Sequence, residues 1–413
     1  MSSIRHNSPS HLSNLATIVL SLSIFMPNFA LPKTLDSDIE ALRSLKNGID
    51  PYSIPPTTFL DTWDFSVDPC ENTGSHFVGI LCDIPSGNTS QRIVALDLNS
   101  MGYDGFLSPS IGSLTELTFL DLSKNRFRGP LPESFTRLTK ITTLSLSENI
   151  FTGYIPSEIT NLRWLQYLDL SKNNFIGTLP PTFVDLRQLT HVDVSYNLFF
   201  SNLPDLDALW QLTSLALDHN HFEGGLPRLP SNLRTLSLNN NLLSGRLPPT
   251  MRLPHLEALD LSNNQFTGTI GWGLLLLPSI RRINLSFNLF TSIEVFNATN
   301  MTTTLEELDA SHNRIQMHLP LGLATIESML SIHLEGNSFV GRIPPEYGAR
   351  AMNSWRQLFL NDNYLEGSVP SEFKNLQREK LNGSLASNCL VCRNGHYLCE
   401  GRQRPSSECH RHG

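Results

Sequence analysis

The sequence predicts an α/β solenoid: a superhelix of about twelve short coils carrying a parallel concave β-sheet, with disulfide-stapled N- and C-terminal caps. Three observations predict it. Leucine supplies 68 of the 413 residues while only 16% are charged, so the apolar excess lies in one aliphatic side chain, as in a repeated core. Asparagines recur in steps of 24 at Asn125, Asn149, Asn173 and Asn197, each closing a string of the form Leu-x-x-Leu-x-Leu-x-x-Asn with Ile or Val in some places. All six cysteines lie towards the ends, Cys70 and Cys82 in front, Cys389, Cys392, Cys399 and Cys409 behind. The net charge of −8 argues against nucleic-acid phosphates or an anionic membrane surface as partners. So much leucine can bury a long core, which excludes a disordered chain.

Residues 1–30 read as a secretory signal peptide. Arg5 and His6 precede an apolar stretch from Leu15 to Met26, and small residues lead to an exit at Ala30; that order and length suit a cleaved leader better than a membrane span. Beyond it the longest apolar run, Leu274 to Leu277, is closed by Pro278, and the polar, basic end from Arg402 to Gly413 has neither a lipidation box nor a glycolipid-anchor tail. The expectation is a secreted, unanchored chain with no membrane span. In that compartment six cysteines imply disulfides. A zinc site built from the last four, with His396 or His410, would need thiolates to survive oxidation.

Residues 31–92 form the front cap, in which Asp38 to Lys46 reads as a short amphipathic helix. Residues 93–376 are the repeats. The string continues through Asn220, Asn241, Asn264, Asn288, Asn313, Asn337 and Asn363, after a first, degenerate copy with Met101 in the Asn place. In Leu168-Asp169-Leu170 side chains alternate, so both leucines enter the core while Tyr167, Asp169 and Ser171 face outward. One coil cannot enclose its own leucines, so coils must stack. Each Asn turns inward, where backbone groups of its turn and of the next coil can satisfy its amide. Most strings are followed by Gly-x-Leu/Ile-Pro, as in Gly129 to Pro132 or Gly341 to Pro344. There Gly permits positive φ and Pro removes a donor, which punctuates the coil. Residues 377–413 form the Cys-rich C-terminal cap and tail.

This string with its Gly-x-Leu/Ile-Pro element resembles the plant-type extracellular leucine-rich repeat, as in receptor-like kinases, receptor-like proteins and polygalacturonase-inhibiting proteins. Trp63, Cys70, Phe77, Gly79, Ile80 and Cys82 resemble the front cap of those families, which carry Trp where Phe77 stands and a shorter gap between the cysteines. Asn388-Cys389, Cys392, Cys399, Arg404-Pro405 and Cys409 resemble the tail of a smaller, soluble plant group. Cys70 is expected to bond Cys82, and the four tail cysteines to pair among themselves in one of three connectivities.

Candidate chemistry is weighed against the repeat. His191, Asp193 and Ser195 share one strand face, but residues two apart on a strand are nearly 7 Å apart at ~3.4 Å each, too far for a catalytic triad. Asp and Ser also fill those two places in several other coils. Asp169 and Asp193 lie side by side with the spacing of a retaining glycosidase pair, yet nothing forms a cleft. No catalytic, metal or cofactor residue is assigned, and the chain is expected not to be an enzyme. Outward places on the early strands carry Phe119, Tyr167 and His191, with Tyr196 one place before Asn197. Exposed aromatics on a rigid array are candidate binding anchors, against chance and cross-strand packing as the other reading, and Asp169, Asp193 and Asp218 beside them would steer cationic partners. Five sequons, Asn88, Asn284, Asn297, Asn300 and Asn382, are acceptors for N-glycans. Asn284 projects from the strand face, so a sugar there would confine the ligand mainly to its N-terminal side. Asn297 and Asn300 fall in 291–304, read as an irregular outer loop.

The resemblance implies a secreted recognition protein that binds a peptide, protein or cell-wall ligand on its concave face in plant signalling or defence. Candidate partners are a membrane receptor kinase, a secreted pectinase or a wall polysaccharide. An inhibitor of a wall-degrading glycosidase and a structural polysaccharide-binding protein are the alternatives. Peptide receptors of this superfamily read a ligand carboxylate with Arg-x-Arg on late repeats; here Arg281 and Arg282 are adjacent, on opposite faces of one strand.

Overall fold

The computed structural model describes residues 32–87, 89–294, 303–392 and 396–409. The leader and sequons Asn88, Asn297 and Asn300 lie outside them. Helix α1 (Asp36–Asn47) is the first among the described residues, with acids in its first turn and Lys46 in its last, and it buries Asp38, Ala41, Leu42 and Leu45. Its exit packs so closely that a Cβ at Gly105 would stand 2.3 Å from the Gly48 carbonyl oxygen. Only glycine fits there. Phe77, fully buried, stands 5.9 Å from the Trp63 ring and 5.2 Å from that of Phe65, so three aromatics fill the front cap. The Cys70–Cys82 disulfide closes it.

A fourteen-stranded sheet lines the inner face. Its first strand, Ile80–Asp83, pairs antiparallel with Arg92–Asp97. Every later pair is parallel, one three-residue strand per coil, ending at Gln357–Phe359 with Asn382–Ser384. Within each three-residue strand but the last the central residue is buried, as Leu168 is in Tyr167–Asp169, and the outer two face the inner surface. The strand Asn382–Ser384 and the buried Asn388 make a thirteenth coil inside the segment that sequence reading gives to the tail.

The asparagines form a continuous ladder, and its direction corrects the expectation. Asn197 Nδ2 donates to the carbonyls of Val194 and Ser195 in its own turn and of Leu170 in the preceding coil, while its Oδ1 accepts from Phe175 N–H of that same preceding coil. The bonds run backward, not to the next coil. Met101 therefore sits where no full coil precedes. Beyond Asn388 the ladder is finished by Gln403, whose Oε1 accepts from the Asn388 and Leu390 amides and whose Nε2 donates to the Leu385 carbonyl. Disulfides Cys389–Cys409 and Cys392–Cys399 fix this end, one of the three possible connectivities.

The Gly-x-Leu/Ile-Pro element is more than punctuation. Residues just after Met101 and most of the asparagines form a second, nine-stranded parallel sheet from Asp104–Phe106 to Leu289–Ile293, and a three-stranded one follows. Thr291 to Ile293, expected in a loop, belong to its last strand. Two places after the Asn, Phe127, Phe151, Phe175, Phe199 and Phe222 stack face to face through the core with centroids 6.0–6.3 Å apart. On the back, helical turns such as Ser157–Asn161 and Pro181–Asp185 return the chain to the inner sheet, but none occurs between Asp185 and Trp272.

Candidate ligand-binding face

Strand register sets the inner surface in columns. The first outward column runs Phe119, Thr143, Tyr167, His191, Ser214. Tyr167 and His191 stack with centroids 4.6 Å apart and planes within 4°. Phe119 stands apart, with Thr143 between it and Tyr167. Tyr196 lies not on a strand but in the following turn, at φ 53°, and its ring stacks at 3.9 Å on His219. Sequence reading missed His219, although alignment of the residues preceding each Asn puts it next to Tyr196. The Asp218 carboxylate is 3.3 Å from His219 Nδ1.

The second column carries Asp121, Asp169, Asp193 and, further on, Asp260 and Asp309. Their first task is structural. In each case Oδ1 accepts the amide of the Ser two residues on, as at Asp193 and Ser195, 2.9 Å apart. His191 and Asp193 share no hydrogen bond, and the imidazole lies on Tyr167, so the strand holds no triad. Burial raises the Asp193 pKa, against its bonds from Ser195 and with repulsion from Asp169 and Asp218. The Tyr167 hydroxyl is likewise raised by burial and by Asp169, Asp193 and Asp121.

The raised Asp193 pKa yields a signed expectation. The folded state holds this proton more tightly than the unfolded chain does, so Asp193 subtracts stability as pH rises from the ordinary Asp range through its folded pKa. Asp193→Asn keeps the acceptor for Ser195 and removes the charge. The variant should gain stability over wild type at neutral pH and lose that advantage near pH 3 in thermal melts; an advantage independent of pH would refute the account.

Two features were not legible beforehand. A concavity of about 310 Å³ opens in mid-sheet over small side chains, Ser214, Ala216, Thr235, Ser237 and Ala258, and is walled by Asp260, Arg282, Asn284 and Glu307. Asn284 is on the inner strand face, its Oδ1 held by Ser286. Asn382 is exposed on the last inner strand. Arg281 pairs with Glu306 at 3.0 Å, leaving Arg282 to the inner face. Further on, His333 stacks on Phe359 at 4.8 Å, with Nε2 2.9 Å from Gln357 Oε1. Burial lowers the His333 pKa, but bonds to Glu335 and Gln357 and the charges of Glu335 and Asp309 outweigh it, and the net shift is upward. Both residues replace the usual Asp of their column, which was the available signal.

Comparison with known proteins places this architecture. The family described as "Leucine rich repeat" matches residues 115–175, and its N-terminal domain matches 35–83. Further copies match 231–272 and 354–376. The chain is a leucine-rich-repeat protein of the plant extracellular type. Among relatives of this leucine-rich-repeat chain, Receptor-like protein 32 of Arabidopsis thaliana is 34% identical over 189 residues, 42% of this chain and 22% of that protein. Cuscuta receptor 1 of Solanum lycopersicum is 30% identical over 171 residues, 39% of this chain and 15% of that one. The chain thus spans less than a quarter of either relative's length. Among solved structures, the plant peptide hormone receptor RGFR1 in complex with RGF2 superposes with a TM-score of 0.60 at 26% identity, over 72% of this chain and 52% of that one. The GASSHO1/SCHENGEN3 ectodomain of Arabidopsis thaliana, at 24% identity and TM-score 0.61, covers 85% of this chain and 47% of its own and shares the fold. Receptor-like, ligand-binding proteins are therefore its kin. No helix among the described residues is long and apolar enough to cross a membrane.

Proposed function

We propose that the chain is a secreted recognition protein that binds an extended, basic peptide or protein segment along the first half of its inner sheet, in plant cell-surface signalling or defence, without catalysis. The observation that carries this is the stacked Tyr167–His191 pair set among Asp121, Asp169 and Asp193. Tyr167 is 36% exposed and Tyr196 47%, although core packing gives no reason for aromatics there. From Phe119 to His191 is three strand steps, about 14–15 Å at ~4.8 Å each, which matches four or five extended residues at ~3.3 Å. The peptide-hormone complex among the structural relatives is consistent with such a ligand class. A sugar on Asn284 would stand beyond this footprint.

The experiment is to recover the partner from extracellular fluid with the tagged protein and measure its affinity for two paired variants. Tyr167→Ala with His191→Ala should weaken binding, each truncation costing about 2 kcal/mol, and raised salt should slow association. If Gln357→Ala with Phe359→Ala weakens binding more, the site has been placed at the wrong end of the sheet.

A further inference from the structure

The back of the solenoid carries a trough that concave-face binding does not use. Coils ending at Asn220, Asn241 and Asn264 are 23, 21 and 23 residues long against the usual 24, and this is where the helical turns between Asp185 and Trp272 are missing. The shortened returns leave a hollow of about 670 Å³ spanning three coils. Its floor is aliphatic, with Leu226, Leu229, Met251 and Leu253, and its walls carry Arg228, Arg246 and Arg252. Arg228 is already engaged by Asp205 at 2.7 Å and Asp207 at 3.2 Å. Arg246 and Arg252 are exposed and make no salt bridge among the described residues. Two uncompensated guanidinium groups thus stand over an apolar floor.

We propose that this trough is a second docking site, for a short acidic and aliphatic segment of a partner protein. Guanidinium groups bind carboxylates in a planar, bidentate fork, which sets the charge of the occupant. The floor sets the rest of its chemistry. Leucine and methionine side chains adapt to aliphatic knobs, whereas a uronic-acid chain would gain more from aromatic faces, and no aromatic residue lines the hollow. The volume lies within the range of ligand pockets and holds a segment of a few residues. The site faces away from the inner sheet and selects the opposite charge, so the chain could hold two partners at once.

The test uses the full secreted chain and random dodecapeptides displayed on phage. Panning should enrich peptides with Asp or Glu beside Leu, Ile or Val. Synthetic copies should lose at least tenfold in affinity on Arg246→Glu with Arg252→Glu and keep most of it on Arg246→Lys with Arg252→Lys. Both side chains are exposed and unpaired, so the fold should tolerate them; thermal melts check this, and Arg→Gln versions substitute if a reversal unfolds. Tyr167→Ala with His191→Ala should leave this binding unchanged, which separates it from the inner-face reading. The proposal fails if no acidic-aliphatic consensus emerges, if charge reversal changes affinity less than threefold, or if an oligogalacturonate binds the arginines in place of the peptides.

Discussion

Asp38→Ala should destabilise the protein by about 3–5 kcal/mol, the cost typical of breaking a buried ion pair from one side. Asp38 is fully buried and joins helix α1 to the first parallel strand. Its two oxygens receive Arg92 Nε at 2.9 Å and Nη2 at 3.0 Å, and Oδ2 also accepts the Ile93 amide at 3.0 Å. Without the carboxylate, Arg92 stays only 8% exposed, with Thr115 as a neutral partner and Glu116 4.0 Å away. Asp38→Asn should recover part of the loss by keeping one acceptor. Replacing both residues by leucine should cost far less than either single change, because an uncompensated charge is dearer than the pair itself is worth. Urea denaturation checks this, and a loss under 1 kcal/mol for the alanine variant would refute it. Because coils contact only their neighbours, the front cap should also detach in a separate, earlier transition.

The second large effect belongs to the ladder. Asn197→Leu preserves bulk but removes four hydrogen bonds. Val194 and Ser195 carbonyls keep other donors, from Asn220 and Lys172, and Leu170 keeps Asn173. The Phe175 amide has no replacement, and burying such a group unpaired, together with the lost bonds, should cost about 3 kcal/mol. Hydrogen exchange should locate the damage on the N-terminal side, at Phe175, because the bonds run backward. Damage centred on the following coil, around His221 and Phe222, would overturn that polarity.

Much of this was legible because one asparagine every 24 residues sets both the coil length and the strand register. Leu168 enters the core and Tyr167 does not for reasons of alternation alone. The second sheet escaped notice since its strands are short and overlap the Gly-Pro element. Yet Phe127, Phe151 and Phe175 repeat with the same period and mark it. Spacing could not orient the ladder, because a residue 24 positions ahead and one 24 behind are equivalent until the side chain points. Ring pairs such as Tyr196 with His219 are invisible along the chain and plain once it is folded into columns. Gln403 lies off the period altogether, 15 residues after Asn388. The back trough comes from residues that are missing, and a deletion leaves no motif.

Every seam between interior coils is bridged by the same two asparagine contacts, Nδ2 to a carbonyl and Oδ1 from an amide of the preceding coil, so the array behaves as a ruler with identical divisions. Positions along the inner face are quantised in steps of ~4.8 Å, and a partner can be offered ring spacings of one step or two, never one and a half. Gln403 supplies the ruler's final mark by imitating an asparagine that a further coil would have brought. Splicing a whole coil into the interior, such as residues 150–173, would leave all seams chemically intact while moving every later mark by one division. Affinity for an extended ligand would then change by register, with no contact residue altered.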